Sequence, residues 1–339
     1  MAINIVVGDA AGIILGEIRV FMEQIVWRSN DVGQAVGVMP LVDVARYQSL
    51  LRFGNTILFQ FDNGLPDWGG VLDTPRSWQA GHFQVNAYSG EHLLRLRTTG
   101  HNDVYRQYSV GDLFRSAIVA ANGVEFTGLN VAVPWYGGNV HDVDYHYKPL
   151  LDAAKELTTD LSSADFYVTA EESGGLIRFT AHLDARRGRD HQGIALVDGR
   201  NITDPTMDEQ GPIVNHWFTV GAGSSWYTRY VAETFDAVSE NLYRRRDDSS
   251  IESRVSNSSM LEDIGEQKLA ASSTPATAVT LRAIDQEPAR FADYDVGDSL
   301  PVDIPRYGFE GFTTRVRVLG REFVPSGGTC TLLVEEYNL

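Results

Sequence analysis

The sequence predicts a mainly β protein with an α+β insertion. Short alternations of apolar and polar residues, separated by turn residues, occupy residues 17–97 and return after Pro275. Between these two regions, apolar residues recur at helical spacing. Because alternate residues of a strand face opposite sides of a sheet, the alternating runs indicate half-buried strands of a barrel or a sandwich. The order of patterns is therefore a β-domain, an α+β segment, a helix and a second β-domain.

The first β-domain begins with a clear hairpin pattern. Residues 57–61 alternate, Asp62-Asn63-Gly64 supplies residues that tolerate positive φ, and residues 68–72 start the next run. Residues 83–87 alternate again and end at Ser89-Gly90. Several short strands at this spacing are expected in the region.

A helix is predicted after this domain. Ser109 is expected at its N-cap, Leu113, Ala117 and Ala121 follow at four-residue spacing, and Gly123 is expected at the C′ position. Serine oxygens cap the first amides of helices, and glycine tolerates the left-handed conformation that ends them. The pattern therefore predicts one helix over this stretch.

A second helix and a hairpin complete the α+β segment. Pro149 is expected at the first helical position, and an apolar face follows it to Leu157. Residues 166–168 then alternate, and Gly174-Gly175 turns the chain into a strand at residues 176–181. The segment is therefore expected to form a small helix-and-hairpin domain.

The following stretch is predicted as two strands, a connection and a helix. The strands are expected at residues 213–220 and 226–231. The charged residues 243–254 are interpreted as a solvated connection. Ser259 and Glu262 form a capping-box pattern at the start of a helix.

The chain ends in strands, predicted at residues 300–304, 314–319 and 329–336. Ser326-Gly327-Gly328 is expected to reverse the chain before the last of them. These strands indicate the second β-domain.

The composition limits the class of protein. Of 339 residues, 43% are hydrophobic and 22% are charged, which is typical of globular domains. Cys330 is the only cysteine, so neither an internal disulfide nor a cysteine-bound metal is expected. The net charge of −17 argues against tight nucleic-acid binding. No signal peptide and no membrane-spanning run are expected, since Asp9 and Glu17 interrupt the apolar start.

The densest polar group lies between residues 141 and 146. His141, Asp142, Asp144 and His146 are possible ligands of a cation. The two histidines are five residues apart, which places them neither on one helix face nor on one strand face. A polar loop is the favoured interpretation, and a bound cation is the alternative.

Other motifs are incomplete. The Gly221-Ala222-Gly223 sequence begins like a dinucleotide loop, but Trp226 stands where the last glycine belongs. The acidic residues at 293, 295 and 298 resemble a calcium loop without its closing glutamate, so a turn is favoured. Arg186, Arg187 and Arg189 form a basic spot too small for a nucleic-acid groove. No catalytic residues, cofactor or enzymatic activity are therefore predicted.

Three stretches resemble the hub proteins of phage tail tips and baseplates, including those of related contractile injection systems. The first is Phe53-Gly54 through Phe61-Asp62-Asn63-Gly64 to Trp68-Gly69-Gly70-Val71. The second, at residues 149–179, is similar to the family's inserted helix and hairpin. The third begins at residues 249–253 and continues through the predicted helix at residues 259–270 and the Asp295-Val296-Gly297-Asp298 turn to the final hairpin.

The resemblance implies two tube-like β-barrel domains and a small helix-and-hairpin domain. The expected segments are a first barrel at 1–108, the inserted domain at 109–200, return strands and a linker at 201–248, and a second barrel with its leading helix at 249–339. It also implies a homotrimer whose barrels form a pseudo-sixfold ring, joining the sixfold tail tube to a threefold tip.

The implied partners are the tail tube, distal tail ring proteins and a central spike or fibre protein. The implied location is the virion tail, assembled in the host cytoplasm, with genomic DNA passing through an acidic lumen that repels it. A tail-tip receptor or glycan-binding module is an alternative, and exposed Trp and Tyr residues in a groove would favour it. A cell-wall hydrolase is a further alternative, which the incomplete motifs disfavour.

Overall fold

The computed structural model describes residues 3–79, 81–159, 161–210, 213–223, 228–252, 255, 257–274, 276–305 and 312–337. The chain forms two compact units. Unit 1 consists of Met1–Thr206 and Thr280–Leu339, and unit 2 is Met207–Val279. These bounds differ from those of the four predicted segments. The predicted positions Trp226 and Pro275 lie outside the described residues.

The helices, in chain order, are α1 Leu41–Tyr47, α2 His92–Arg95, α3 Val110–Val124, α4 Leu150–Thr159, α5 Ala237–Tyr243 and α6 Ser258–Ser272. The strands before α4 are β1 Ile3–Gly8, β2 Ile14–Glu17, β3 Phe21–Arg28, β4 Gln34–Pro40, β5 Thr56–Phe61, β6 Trp68–Gln79, β7 His82–Ser89, β8 Asp103–Ser109, β9 Leu129–Val131 and β10 Val140–Tyr145. The strands after α4 are β11 Asp165–Ser173, β12 Leu176–Asp184, β13 Leu196–Val197, β14 Ile202–Gln210, β15 His216–Val220, β16 Val231–Phe235, β17 Asp247–Ile251, β18 Ala276–Ile284, β19 Ser299–Ile304, β20 Phe312–Val324 and β21 Thr329–Glu336. The mainly β prediction is confirmed.

The largest sheet has the strand order β14-β18-β21-β20-β3-β4-β7-β6-β5-β1-β2, with β19 on β20 and β13 on β19. The predicted hairpin at Asp62-Asn63-Gly64 is confirmed, since β5 and β6 are antiparallel and Phe59 faces Trp68 across them. Phe59 and Trp68 are both buried and their ring centroids are 5.1 Å apart. Burial of this aromatic pair stabilises the hairpin.

The two predicted β regions share this sheet. Strand β20 pairs with β3 in antiparallel fashion, from Gly320 opposite Arg28 to Phe323 opposite Ile25. Ile25 is fully buried and Phe323 is almost fully buried. Alternation along the chain predicts each strand but not its distant neighbour, so this pairing was not predicted.

The predicted helix-and-hairpin segment packs around an apolar core to which the large sheet contributes Val6 and Leu58. Side chains of α3, α4, β11 and β12 form a cluster that includes Leu113, Leu157, Phe166 and Phe179. The turn between β11 and β12 consists of Gly174-Gly175, both at positive φ, as a two-residue hairpin turn requires. The hairpin and both helices are therefore confirmed.

Two helix-end predictions in this segment need correction. Ser109 caps α3 as expected by accepting a hydrogen bond from the Asp112 amide at 3.1 Å. Gly123, however, lies inside the helix, which continues to Val124 because the Glu125 amide donates to the Ala121 carbonyl. Pro149 stands one position before α4, where its carbonyl accepts from a helical amide.

Unit 2 contains a three-stranded sheet in the order β16-β15-β17, with α6 against β15 and β16. The interpretation of residues 243–254 as a solvated connection was wrong in part, because β17 pairs in parallel with β15. Four of the five residues of β17 are polar, so no alternation marked the strand. The capping-box prediction was also wrong, since Asn257 caps α6 by accepting from the Ser259 amide at 3.0 Å.

Candidate functional site

Residues 141–145 of the predicted polar loop instead lie in strand β10, which pairs with β8, and His146 follows the strand. Asp142 Oδ1 accepts hydrogen bonds from the backbone and side-chain amides of Gln107, at 2.8 and 3.2 Å. Gln107 has a positive φ of 56° beside a register shift in the pair. Asp144 binds Arg106 at 2.5 Å. The loop prediction failed because these carboxylates serve strand pairing: Asp142 satisfies the amides at the bulge and Asp144 neutralises a cross-strand arginine.

The two histidines of the segment lie in different surroundings. His146 Nδ1 contacts the His101 carbonyl at 2.8 Å. His141 is half-buried, and burial lowers its pKa. Among the residues that the structure describes, no three His, Cys, Asp or Glu side chains converge on a cation position. The four candidate ligands are therefore not brought together as a site.

The aspartates at residues 293–298 fold a turn, as predicted. Asp293 accepts from the Arg290 amide at 2.7 Å. Asp298 accepts from the amides of Arg189 and Asp295, at 2.8 and 2.9 Å. These hydrogen bonds to backbone amides fix the shape of the turn. Strand β19 begins at Ser299, directly after Asp298.

Two of the three arginines of the basic spot are paired with acids within the protein. Arg186 pairs with Asp190 at 2.6 Å, and this contact lowers the pKa of Asp190 to about 2. The guanidinium of Arg187 lies 3.6 Å from Asp295 and 4.6 Å from the centre of the Tyr167 ring. These arginines therefore hold their loop in place rather than presenting a phosphate-binding surface.

The start of the glycine loop also uses its amides internally. The Gly221 amide donates to the Tyr230 carbonyl at 2.7 Å, and the Ala222 amide donates to the Val255 carbonyl at 2.7 Å. A phosphate cradle needs such amides to point at the ligand. Residues 224–227, which include Trp226, lie outside the described part of the chain.

A polar network that the sequence did not reveal anchors the inserted segment to the large sheet. Asp165, at the start of β11, is 1% exposed. It accepts from the Asn30 side chain at 3.1 Å, from the Arg187 amide at 2.7 Å and from Arg317. Asn30 in turn accepts from the Phe166 amide at 2.7 Å. A buried carboxylate with this many donors fixes the position of its strand.

A second buried acid lies at the same junction. Glu91 accepts from the Ser89 hydroxyl at 2.5 Å and from the Val168 amide at 2.8 Å. Ser89 itself accepts from the Gly33 amide at 2.7 Å. Burial raises the pKa of Glu91. The two acids join residues more than seventy positions apart in sequence, so no local pattern could predict them.

Unit 1 carries exposed aromatic side chains. Trp78 is 66% exposed and packs on Phe83 with a centroid distance of 4.8 Å. Phe53 is 53% exposed, and the Arg76 guanidinium lies 3.7 Å from the centre of its ring. Such residues are common in protein interfaces.

Unit 2 has an apolar sheet face of its own. Lys268 of α6 lies over the Trp217 ring, so the neighbours of Trp217 in β15 face away from α6. Phe235 is paired with His216, and Val231 and Ile251 are paired with Val220, which faces the same side; the three are between 55% and 66% exposed. This face, which we call the open face, carries the exposed apolar residues of β16 and β17.

The fold of the chain is similar to that of solved tail proteins. No protein-family profile matches it, and no curated protein sequence matches it. It resembles the 43 kDa tail protein of prophage MuSo2 from Shewanella oneidensis, with a TM-score of 0.64 and 11% identity over 98% of each chain. It resembles the tail protein from Neisseria meningitidis MC58, with a TM-score of 0.66 and 13% identity over 100% of this chain and 97% of the other.

A third similar structure comes from a secretion machine. The E. coli c3393 protein, a component of the type VI secretion system that is structurally similar to T4 bacteriophage tail proteins gp27 and gp5, has a TM-score of 0.57 and 10% identity. The match covers 94% of this chain and 74% of that protein. The chain therefore has the fold of phage tail and related secretion-system components, which confirms the resemblance predicted from the sequence at the level of the fold. No described helix is long and apolar enough to cross a membrane.

Proposed function

We propose that the chain is a structural subunit of a phage tail-tip or baseplate hub. The observation that carries this proposal is the match of the whole chain to tail proteins that have nearly the same length. The pairing of Arg186 and Arg187 with acids and the internal use of the glycine amides support a structural role over nucleotide or nucleic-acid binding. Its proposed location is the virion tail.

The proposed assembly is a homotrimer. Each subunit contributes two barrel-like groups of strands, so that three subunits make a pseudo-sixfold ring that fits the end of a sixfold tail tube. The proposed neighbours are the tube, a distal ring and a central spike or fibre. Exposed Trp78 and Phe53 in unit 1 and the open face in unit 2 offer apolar surface for such contacts.

The acidic composition fits passage of DNA through the ring. With a net charge of −17, acidic residues on the lumen wall would repel phosphate over roughly one Debye length of ~8 Å. The lumen would then conduct the genome without holding it.

The oligomeric mass tests the proposal. We expect the purified chain, alone or with its tube protein, to form a particle of about three times 37.5 kDa in native mass spectrometry. Binding to purified host cell walls, measured by co-sedimentation, is expected to be absent. A chain that stays monomeric beside its tube protein and sediments with cell walls would contradict the hub and favour a receptor module.

A further inference from the structure

One histidine of unit 2 is held between two carboxylates. His216 Nδ1 lies 2.7 Å from Glu240 Oε1, and its Nε2 lies 2.5 Å from Glu233 Oε1. The His216 side chain is 6% exposed, whereas those of Glu240 and Glu233 are 26% and 54% exposed. The carboxylates lie on opposite sides of the ring, so they do not converge on a cation.

The geometry sets the charge of the ring. An ionised carboxylate only accepts hydrogen bonds, and a neutral imidazole has only one N–H donor. Two carboxylate contacts therefore require both nitrogens of His216 to carry hydrogen, which makes the ring a cation. The ring also stacks on Phe235 at 5.6 Å and lies 5.2 Å from Phe218, and aromatic faces attract cations.

The three residues come from three different elements. His216 begins β15, Glu233 lies in β16, and Glu240 lies in α5. Helix α5 buries only Ser239, while Val238 and Leu242 are each 70% exposed. Apolar packing therefore contributes little to the position of α5.

The remaining contacts of α5 are polar. Asn215 donates to the Ser239 hydroxyl at 3.3 Å and to the Arg244 carbonyl at 2.8 Å. The Ser239 hydroxyl donates to the Ser273 carbonyl. Helices held by a few hydrogen bonds open more readily than helices with a buried apolar face.

We propose that His216, Glu233 and Glu240 form a pH-operated clamp that holds α5 on the small sheet. When His216 is protonated, the clamp joins α5 to both β15 and β16. When the ring loses the proton on Nδ1, that nitrogen faces the Glu240 carboxylate with its lone pair, so the contact between β15 and α5 breaks. Helix α5, with Val238 and Leu242, is then held only by its neutral hydrogen bonds and opens more readily.

The surrounding charges set the direction of the response. Burial opposes protonation, but the bonds to Glu240 and Glu233 outweigh it and raise the pKa of His216. Arg245 opposes them, although Asp247 of β17 binds Arg245 at 2.7 Å. Lys268 lies on the α6 side, over Trp217. Since the folded pKa is raised, the clamp is fully closed below the unfolded value of about 6.5 and opens as pH rises through the folded value.

Two measurements on the wild-type chain test the clamp. The imidazole signals of His216, followed by NMR against pH, should show two N–H groups at neutral pH and titrate above the ordinary histidine range. Hydrogen exchange in Ala237–Tyr243, corrected for the intrinsic rate, should speed up roughly tenfold for each unit by which the pKa is raised. The corrected exchange rate of the α6 amides should stay constant over the same pH range.

Variants separate the clamp from general destabilisation. Glu240→Gln should already show fast exchange in α5 at pH 6 and lose most of the pH response. Glu266→Gln, which changes an exposed acid of α6, is the matched control and should behave as wild type. A neutral His216 at pH 7, or α5 protection that stays constant as His216 titrates, would overturn the proposal. Neither result depends on the oligomeric state, so the hub function is tested separately.

Discussion

Helices α3 and α5 are both capped by a side-chain oxygen, yet different forces hold them in place. Helix α3 buries Leu113, Phe114 and four further apolar side chains in the core of the inserted segment. Helix α5 buries only Ser239 and is held by Asn215 and His216. An element can therefore be well placed by polar contacts while remaining weakly stabilised, because buried apolar area supplies most of the stability of a helix.

The largest expected effect is the loss of an aromatic side chain from the α3 core. Phe114→Ala should lower the free energy of unfolding by about 4 kcal/mol, because Phe114 is 2% exposed and its removal leaves a cavity. Phe126→Ala, at a 58% exposed position of the same segment, is the matched control and should change it by less than about 1 kcal/mol. Urea unfolding measures both. Equal losses of unfolding free energy in the two variants would show that the apolar core does not stabilise this region.

The next largest effect is the loss of stability when a buried ion pair is broken, compared with the loss when an exposed one is broken. Asp165→Ala removes the buried partner of Arg317, whose side chain is 14% exposed, and should cost about 3 kcal/mol because the cation keeps only the half-exposed Glu335, at 3.8 Å. Asp247→Ala breaks the Arg245 pair of unit 2, in which both side chains are 51% exposed, and should cost at most about 1 kcal/mol. Thermal unfolding of the two variants gives the comparison. A small loss for Asp165→Ala would mean that the junction is not anchored by this network.

The smallest effect is the removal of a helix cap. Asp236 accepts from the amides of Val238 and Ser239, both at 3.0 Å, and Asp236→Ala should cost about 1 kcal/mol. In α5 this cost should appear as local opening, seen by hydrogen exchange in that helix alone. Ser109→Ala removes the cap of α3 at a similar cost, but α3 should open only when the whole core unfolds. Local opening of α3 in that variant would remove the distinction between the two helices.

The same contrast explains how far the sequence could predict the structure. Apolar residues at four-residue spacing predicted α3, and a pair of glycines predicted the β11–β12 turn, since these signals are local and come from burial or backbone conformation. Strand β17 and helix α5 were not predicted, because their residues are mostly polar or exposed. Three helix ends were displaced, those at Gly123, Pro149 and Ser259, which is the usual uncertainty of boundaries.

Long-range contacts were beyond local patterns. The Asp165–Arg317 contact joins residues 152 positions apart, and the β3–β20 pairing joins the two ends of the chain. The residues of the His216 clamp lie 17 and 24 positions apart in sequence, and nothing in their spacing indicates that one ring contacts both acids. The expected tail fold could be predicted because it depends on the order of elements rather than on these contacts.

Electron microscopy of the chain assembled on its tail tube would show directly whether it forms the proposed hub. We expect a ring with threefold symmetry at the tube end, made of three copies and lined by acidic side chains. Tube ends without the chain, or a ring with six copies and a basic lumen, would contradict it.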